Sequence, residues 1–312
     1  MQTRGIALCL LSACGFGAMA IFAKQAYAAG MTVPTLLSLR FVLAATLFWV
    51  LVAVRGAALP PRRVMLFALV LGAVGYAAQA GLYFGALTHL DASLTALLLY
   101  LYPSLVLVGA IALRREHATP SRLAALGLAS TGTALVLLGG GLGAVDVLGL
   151  AMAFGAAVVY ATYILAADRV VAAVDPFALA ALVMTGAAAS TVTAGASAGA
   201  LHLGFAAGGW AWLLVLVCVS TVMGTSAFFA GLRRVGPATA SIVSAAEPVV
   251  TVSLAALVYA ERLGPGMVAG GILVLGAVVV LQWRAGGSVA SDDAAPRTAA
   301  AAPARALAHK PA

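Results

Sequence analysis

Residues Tyr102–Pro120 read YPSLVLVGAIALRREHATP, and Glu247–Pro265 read EPVVTVSLAALVYAERLGP. Superposed at an offset of 145 positions, Pro103 meets Pro248, Glu116 meets Glu261 and Pro120 meets Pro265. Each segment is an apolar run with a proline near its start, a glutamate at its end and a turn beyond. The register extends upstream without a gap. LYFGALTHLDAS from Leu82 lies against AFFAGLRRVGPA from Ala227, so that Phe84 meets Phe229 and Leu87 meets Leu232. The chain repeats itself.

The repeated unit is built for lipid. The 312 residues are 64% hydrophobic and 8% charged, with a mean hydropathy of +1.11. A soluble domain carries roughly 25% charged residues, and no aqueous core could hide this much apolar surface. Ten runs approach the roughly 20 residues a membrane helix needs: 5–23, 34–54, 64–86, 92–113, 121–138, 147–167, 177–198, 209–232, 237–258 and 264–283. Between them lie charges and turn residues, as in RGAALPPRR, RREHATP, RRVGP and ERLGPG. Arg4, an apolar run and the Ala26-Tyr27-Ala28 triplet mimic a secretory leader. The run exceeds the roughly 7–15 residues of a leader core, however, and its counterpart in the second half is internal. It is read as a helix.

Five spans per half is an odd number, so the second half enters the membrane upside down. The fold expected is therefore all-α, with ten transmembrane helices in two inverted five-helix repeats, 1–143 and 144–284. A disordered cytoplasmic tail, 285–312, rich in Ala, Pro and Ser, would follow. Lys and Arg set the orientation. With the N-terminus in the cytoplasm, fourteen of the seventeen basic residues fall inside, only Lys24 and Arg262 fall outside, and Arg40 lies within a span. Both termini are expected on the cytoplasmic side of the cell inner membrane. The net charge of +8 is thus explained by loop bias, without nucleic acid. The partners expected are the bilayer, a small-molecule solute and at most a second copy of the chain in a homodimer.

The residues also carry a resemblance. SLRFVLAATLF (38–48), the run from Tyr102 to Gly140 and the run from Ala246 to Trp283 resemble the EamA-type repeats of the drug/metabolite transporter superfamily. A mid-helix proline, a glutamate at the helix end and a glycine-bearing helix occur twice. The resemblance covers essentially Gly5 to Trp283. It implies ten helices, a central cavity open alternately to each side, and often export of amino acids or other small metabolites.

So few polar side chains enter the spans that each can be weighed. Gln79 and Tyr83, four residues apart, share a helix face, with Tyr76 one turn earlier. Tyr100 and Tyr102 sit at mid-depth. Tyr160 and Tyr163 share a face, as do Thr221 and Thr225. Ser241, Ser244 and Glu247 recur every three residues and lead into Pro248. The tyrosines lie too deep for an interfacial belt, and Gln79, Tyr83, Tyr102, Tyr163, Ser244 and Glu247 are expected to bind substrate. Serines and threonines serve as readily as interhelical glue.

Two charges stand out. Arg40 is expected to snorkel or bond helix-end carbonyls, with a lesser role as a charge partner. Glu247 stands in SAAEPVVTVSL (244–254), where Pro248 cannot donate to the carbonyl of Ser244. The first repeat keeps that proline but holds Tyr102 before it, so a kink there does not require a carboxylate. Glu247 is therefore a candidate for binding a proton or a cationic group. Glu116 and Glu261, each before a turn, read as loop-fixing acceptors.

Other chemistries find little support. Cys9, Cys14 and Cys218 lie in apolar runs without a CxxC, and His89, His117, His202 and His309 are scattered. No metal site, cofactor or catalytic constellation is expected, and no Walker A motif is present. The solute is expected to be an amino acid or related metabolite, exported by a secondary transporter, with proton coupling through Glu247. Efflux of cationic or aromatic drugs is the alternative within the class. A membrane-embedded enzyme on lipid-linked substrates would need clustered acids or histidines, and a channel would need a polar ring.

Overall fold

The structure, a computed structural model, describes residues 2–114, 119–139, 146–171, 174–244 and 246–292. Among these every regular element is helical. The first half holds α1 (Gln2–Gly17), α2 (Met19–Ala28), α3 (Val33–Arg55), α4 (Arg62–Val70), a π-helical segment π1 (Leu71–Tyr76), α5 (Ala77–Ala86), α6 (Ala92–Leu99), α7 (Tyr102–Ala112) and α8 (Pro120–Gly139). The second holds α9 (Val147–Val171), α10 (Pro176–Ser197), α11 (Ala207–Val215), π2 (Leu216–Met223), α12 (Gly224–Ser244), α13 (Glu247–Tyr259) and α14 (Pro265–Asp292).

The offset of 145 governs these boundaries. It relates both ends of α4 to those of α11, and the first residue of π1 to that of π2. It relates the end of α6 to the end of α12, and the starts of α7 and α8 to those of α13 and α14. The helix breaks have a local cause. Pro103 and Pro248 cannot donate to the turn before them, so the helix yields just upstream of each. Nothing in the residue pattern announced the π segments. Such segments are rare and gather at functional places.

Packing also follows the repeat. α3 packs against α10 and α8 against α14, each on its own counterpart, and α6 packs against α13, while α1 lies on α12 as α9 lies on α5. Small residues allow the close approaches. A Cβ at Gly132 of α8 would stand 2.6 Å from the carbonyl oxygen of Gly270 on α14, so any side chain there would force the pair apart.

Seven helices are long and apolar enough to cross a membrane: Thr3–Ala28, Val33–Arg55, Arg62–Ala86, Ala92–Ala112, Val147–Ala167, Pro176–Ser197 and Ala207–Val235. Three shorter apolar helices, Leu123–Leu135, Glu247–Tyr259 and Pro265–Ala277, lie where the remaining expected spans fall. Through RRVGP, where a turn is expected, α12 stays helical from Gly224 to Ser244. Contacts with α1 show that the chain nevertheless reverses. Gly5 lies against Arg234 and Val235, Gly15 against Met223, and Gly17 against Glu247 and Val250. The path descends α1 to Val235 and has climbed back by Glu247. At the other end, α14 runs to Asp292, past Trp283, and positions 293–312 lie outside the described residues.

Candidate functional site

Arg40 does not snorkel. It is 1% exposed, because α3 carries it inward between the two halves. Its Nε donates to Thr221 Oγ1 at 3.1 Å, and its guanidinium lies 4.9 Å from the ring centre of Phe84 and 5.4 Å from that of Phe41. Thr221 sits in π2, and its hydroxyl also reaches the Leu216 carbonyl at 3.3 Å, five residues back. That spacing belongs to the π turn. Arg40 has no carboxylate within 4 Å among the described residues, so it does not pair with Glu247. Among the described residues its charge is met by the Thr221 hydroxyl, by a hydrogen bond with Tyr76 and by aromatic faces, an attraction of cation–π kind.

Glu247 opens α13 at the second helix break. Tyr100, at the first break, holds its hydroxyl 2.8 Å from Glu247 Oε2 and 3.2 Å from the Ser244 carbonyl oxygen. That carbonyl is the one Pro248 leaves without a backbone donor. The Ser244 hydroxyl is tied to its own helix at the Ala240 carbonyl, 2.9 Å away. Its contribution to the site is thus through the backbone.

Between the two charges runs a wall of rings. Phe41 and Tyr76 centres are 5.5 Å apart, Tyr76 and Tyr163 6.0 Å, Tyr163 and Tyr160 6.1 Å, Tyr160 and Tyr102 4.6 Å, and Tyr102 and Tyr100 5.9 Å. The wall encloses a cavity of about 370 Å³. Gln79, Tyr83, Tyr102, Tyr163, Ser244, Glu247 and Arg40 all line it. So do Tyr76, Tyr100 and Tyr160, which are not among the residues expected to bind substrate. Tyr100 shows why. On an unbroken helix, residues two apart face opposite ways, so Tyr102 and Tyr100 are not expected on one face; the break at Tyr100–Leu101 turns both inward.

Outside the cavity, Glu261 fixes a helix end as expected. It accepts from the backbone N–H groups of Ala92 and Ser93 at 3.0 and 3.2 Å and from Ser93 Oγ at 2.6 Å, capping α6 from the other repeat. Lys24 is 4.0 Å from the same carboxylate. Glu116, its counterpart, lies outside the described residues.

The sequence profile of the EamA-like transporter family matches residues 3–138 and 147–283, one match per repeat. The chain belongs to the EamA-like transporter family. A solved crystal structure of another protein matches the fold of this EamA-like transporter with a TM-score of 0.65, at 19% identity, over 91% of this chain and 99% of the other. At that identity the match speaks for the fold alone. No curated protein matches the chain. The EamA-like repeats thus place a cavity, one buried cation and one carboxyl group on the boundary between two halves of a multi-pass membrane protein.

Proposed function

We propose that this protein is a ten-span secondary transporter of the inner membrane that exports amino acids or related small metabolites by alternating access. The two repeats, 1–143 and 144–284, would rock around the cavity they share, the plan common to inverted-repeat transporters. Glu247 would carry the coupling proton, and the tyrosine wall would pack the solute's apolar part.

One observation supports the substrate class. Arg40 is a buried guanidinium facing the cavity, with no carboxylate within 4 Å of it among the described residues. A charge at membrane depth costs roughly 2.5–3.5 kcal/mol on insertion scales, and a solute carboxylate docking near it would offset that cost. Glu247 lies along the wall from it, where an ammonium group could be received. A zwitterion satisfies both. A purely cationic drug could pair with Glu247 but would leave the charge of Arg40 unanswered, which ranks drug efflux second.

Orientation adds a direction to the resting state. With the basic loops in the cytoplasm, the cavity reaches Pro176 and Leu179 at the cytoplasmic end of α10. Toward the periplasmic side its lining ends at Phe84, whose carbonyl accepts from Tyr27 at 3.0 Å, and beyond it Glu261 caps α6. We read this as an inward-open conformation.

The test is untargeted metabolomics of the growth medium, comparing overexpressing, wild-type and deleted strains. Export predicts one or a few zwitterionic solutes that rise with expression and fall on deletion. If only cationic aromatic compounds respond, the drug-efflux reading takes over.

A further inference from the structure

The hydroxyl of Tyr100 has one proton and faces two acceptors. A phenol donates once and accepts on its lone pairs, yet the Glu247 carboxyl is at 2.8 Å and the Ser244 carbonyl at 3.2 Å. Among the described residues, the carbonyls of Val243, Ala246 and Glu247 are already served. Ala246 N reaches Val243 O at 3.1 Å, Val250 N reaches Ala246 O at 3.0 Å, and Thr251 Oγ1 reaches Glu247 O at 3.2 Å. The donor that Ser244 would have had is Pro248, which has no N–H.

Two arrangements follow. When a proton from cavity water sits on Glu247, its carboxyl O–H donates to the Tyr100 oxygen, and Tyr100 donates onward to the Ser244 carbonyl. Every group is then satisfied. When that proton leaves to water, the carboxylate draws the phenolic proton to itself, because a charge-assisted bond is roughly twice as strong as a neutral one. The Ser244 carbonyl then loses its partner at the break between α12 and α13.

We propose that Tyr100 is the positioning residue that couples protonation of Glu247 to the hydrogen bonding of this helix break. The inference rests on the reading of Glu247 as the ionisable group of a transporter cavity. Loss of the proton loosens the α12–α13 junction, and its return closes it. Tyr100 and Glu247 belong to different repeats, so the same switch tightens or releases the contact between the halves.

Other groups near Glu247 leave this pair in control. Tyr83 from α5, Tyr102 from α7 and Tyr160 from α9 are within its electrostatic reach; phenols ordinarily titrate near pH 10. α1 meets it with Gly17, where a Cβ would stand 2.7 Å from the Glu247 backbone oxygen. Lys24 of α2 is engaged with Glu261 at the far end of α13. Arg40 lines the same cavity without pairing with Glu247.

The experiment is hydrogen–deuterium exchange on the full chain in lipid nanodiscs at about pH 5 and about pH 9, the range over which buried glutamates are known to titrate. Rates are corrected for the intrinsic pH dependence of exchange, and the peptide covering Ser244–Leu254 is compared with one from α3. No solute is added. In the wild type, protection of the junction should fall by about tenfold at the higher pH, the effect of one buried hydrogen bond. Glu247→Gln, whose amide can donate to Tyr100 at either pH, should stay protected at both. Tyr100→Phe should be unprotected at both.

An unchanged wild type, or a Tyr100→Phe protein that keeps the pH response, overturns the proposal. If Tyr100→Phe fails to fold, the wild type against Glu247→Gln still decides, because a pH response shared by both cannot come from Glu247. Failure here leaves the exporter reading standing, since the medium metabolomics tests that separately.

Discussion

Tyr100 and Glu247 meet across two broken helices, one from each repeat, with 2.8 Å between hydroxyl and carboxyl oxygen. Neither residue recurs at its symmetry-related position. Ala245 stands where Tyr100 would repeat, and Tyr102 where Glu247 would. The breaks obey the repeat and the chemistry does not. An inverted repeat can therefore supply two similar gates while keeping a single ionisable centre between them.

That asymmetry makes Glu247→Gln informative. In proteoliposomes carrying the solute that the medium screen identifies, uptake or efflux driven by a pH gradient should fall sharply, while solute counterflow survives. Gln keeps the shape and hydrogen bonding of the carboxyl but cannot ionise. Gradient-driven transport with an unaltered pH profile would make Glu247 a structural partner of the kink.

Arg40 is held by hydrogen bonds to Thr221 in π2 and to Tyr76. Thr221→Val keeps the volume and removes the acceptor. Inside membranes such bonds are worth roughly 0.6 kcal/mol on average and at most about 1.7. A loss near the upper figure is expected here, because the donor is charged, and thermal unfolding in detergent reads it. Arg40→Lys should lose solute affinity as well, since an ammonium cannot keep the Thr221 bond and present a planar fork to a carboxylate together.

Much of this molecule was legible beforehand, for physical reasons. Lipid as solvent forces long apolar runs, and proline forces a break wherever it interrupts one, so Pro103 and Pro248 marked both discontinuities. The helix faces that gathered Gln79 with Tyr83 follow from 3.6-residue periodicity. Tyr100 was under-weighted because that periodicity fails at the break. Thr221 was noted without its partner, because a π turn shifts the register and Arg40 lies 181 positions away. Arg40 was expected to reach for water because an isolated helix would send it there; the packed halves supply rings and a hydroxyl instead.

The cap that Glu261 places on α6 is buried and uses three donors from the first repeat. Glu261→Ala should cost roughly 1–2 kcal/mol, the upper range for loss of a helix N-cap. Glu261→Gln, which keeps one acceptor oxygen, should cost less. Melting temperatures should fall from the wild type to Glu261→Gln to Glu261→Ala, and equal values would show that the cap contributes nothing.

A pH effect is expected at the loop joining the repeats. Asp146 lies 2.7 Å from His89 Nδ1 and caps α9 at the Leu148 and Gly149 N–H groups, at 2.8 and 3.3 Å. The His89 hydrogen bond first, and the backbone bonds with it, hold its carboxyl below the usual value. A depressed carboxyl contributes stability above its unfolded pKa, about 3.9, and loses it as pH falls through the folded one. Asp146→Asn still caps the helix but lacks the charge. Its small deficit in melting temperature at neutral pH should therefore close below about pH 4, and a deficit constant with pH would assign the effect to the cap alone.

The sidedness of the cavity is the remaining consequence, and it can be tested without knowing the solute. Leu179 on α10 and Thr225 on α12 both line the cavity, toward the end of the bundle that carries Arg55 and Arg233. The opposite end is bound together by bonds that join separate segments: Tyr27 to the Phe84 carbonyl, Tyr259 to the Ile21 carbonyl at 3.1 Å, and Thr35 Oγ1, which accepts from His202 N at 2.9 Å. Cys9, Cys14 and Cys218 are replaced first, because two of them are exposed. A single cysteine is then placed at Leu179 or Thr225 and treated with a membrane-impermeant thiol reagent. On the proposed orientation the mouth faces the cytoplasm and these bonds shut the periplasmic side, so inside-out vesicles should label readily and right-side-out vesicles slowly. Faster labelling from the periplasm would reverse either the orientation or the resting conformation. A reporter fused at Gly204 separates the two: it should read periplasmic, and a cytoplasmic signal there would place the error in the orientation.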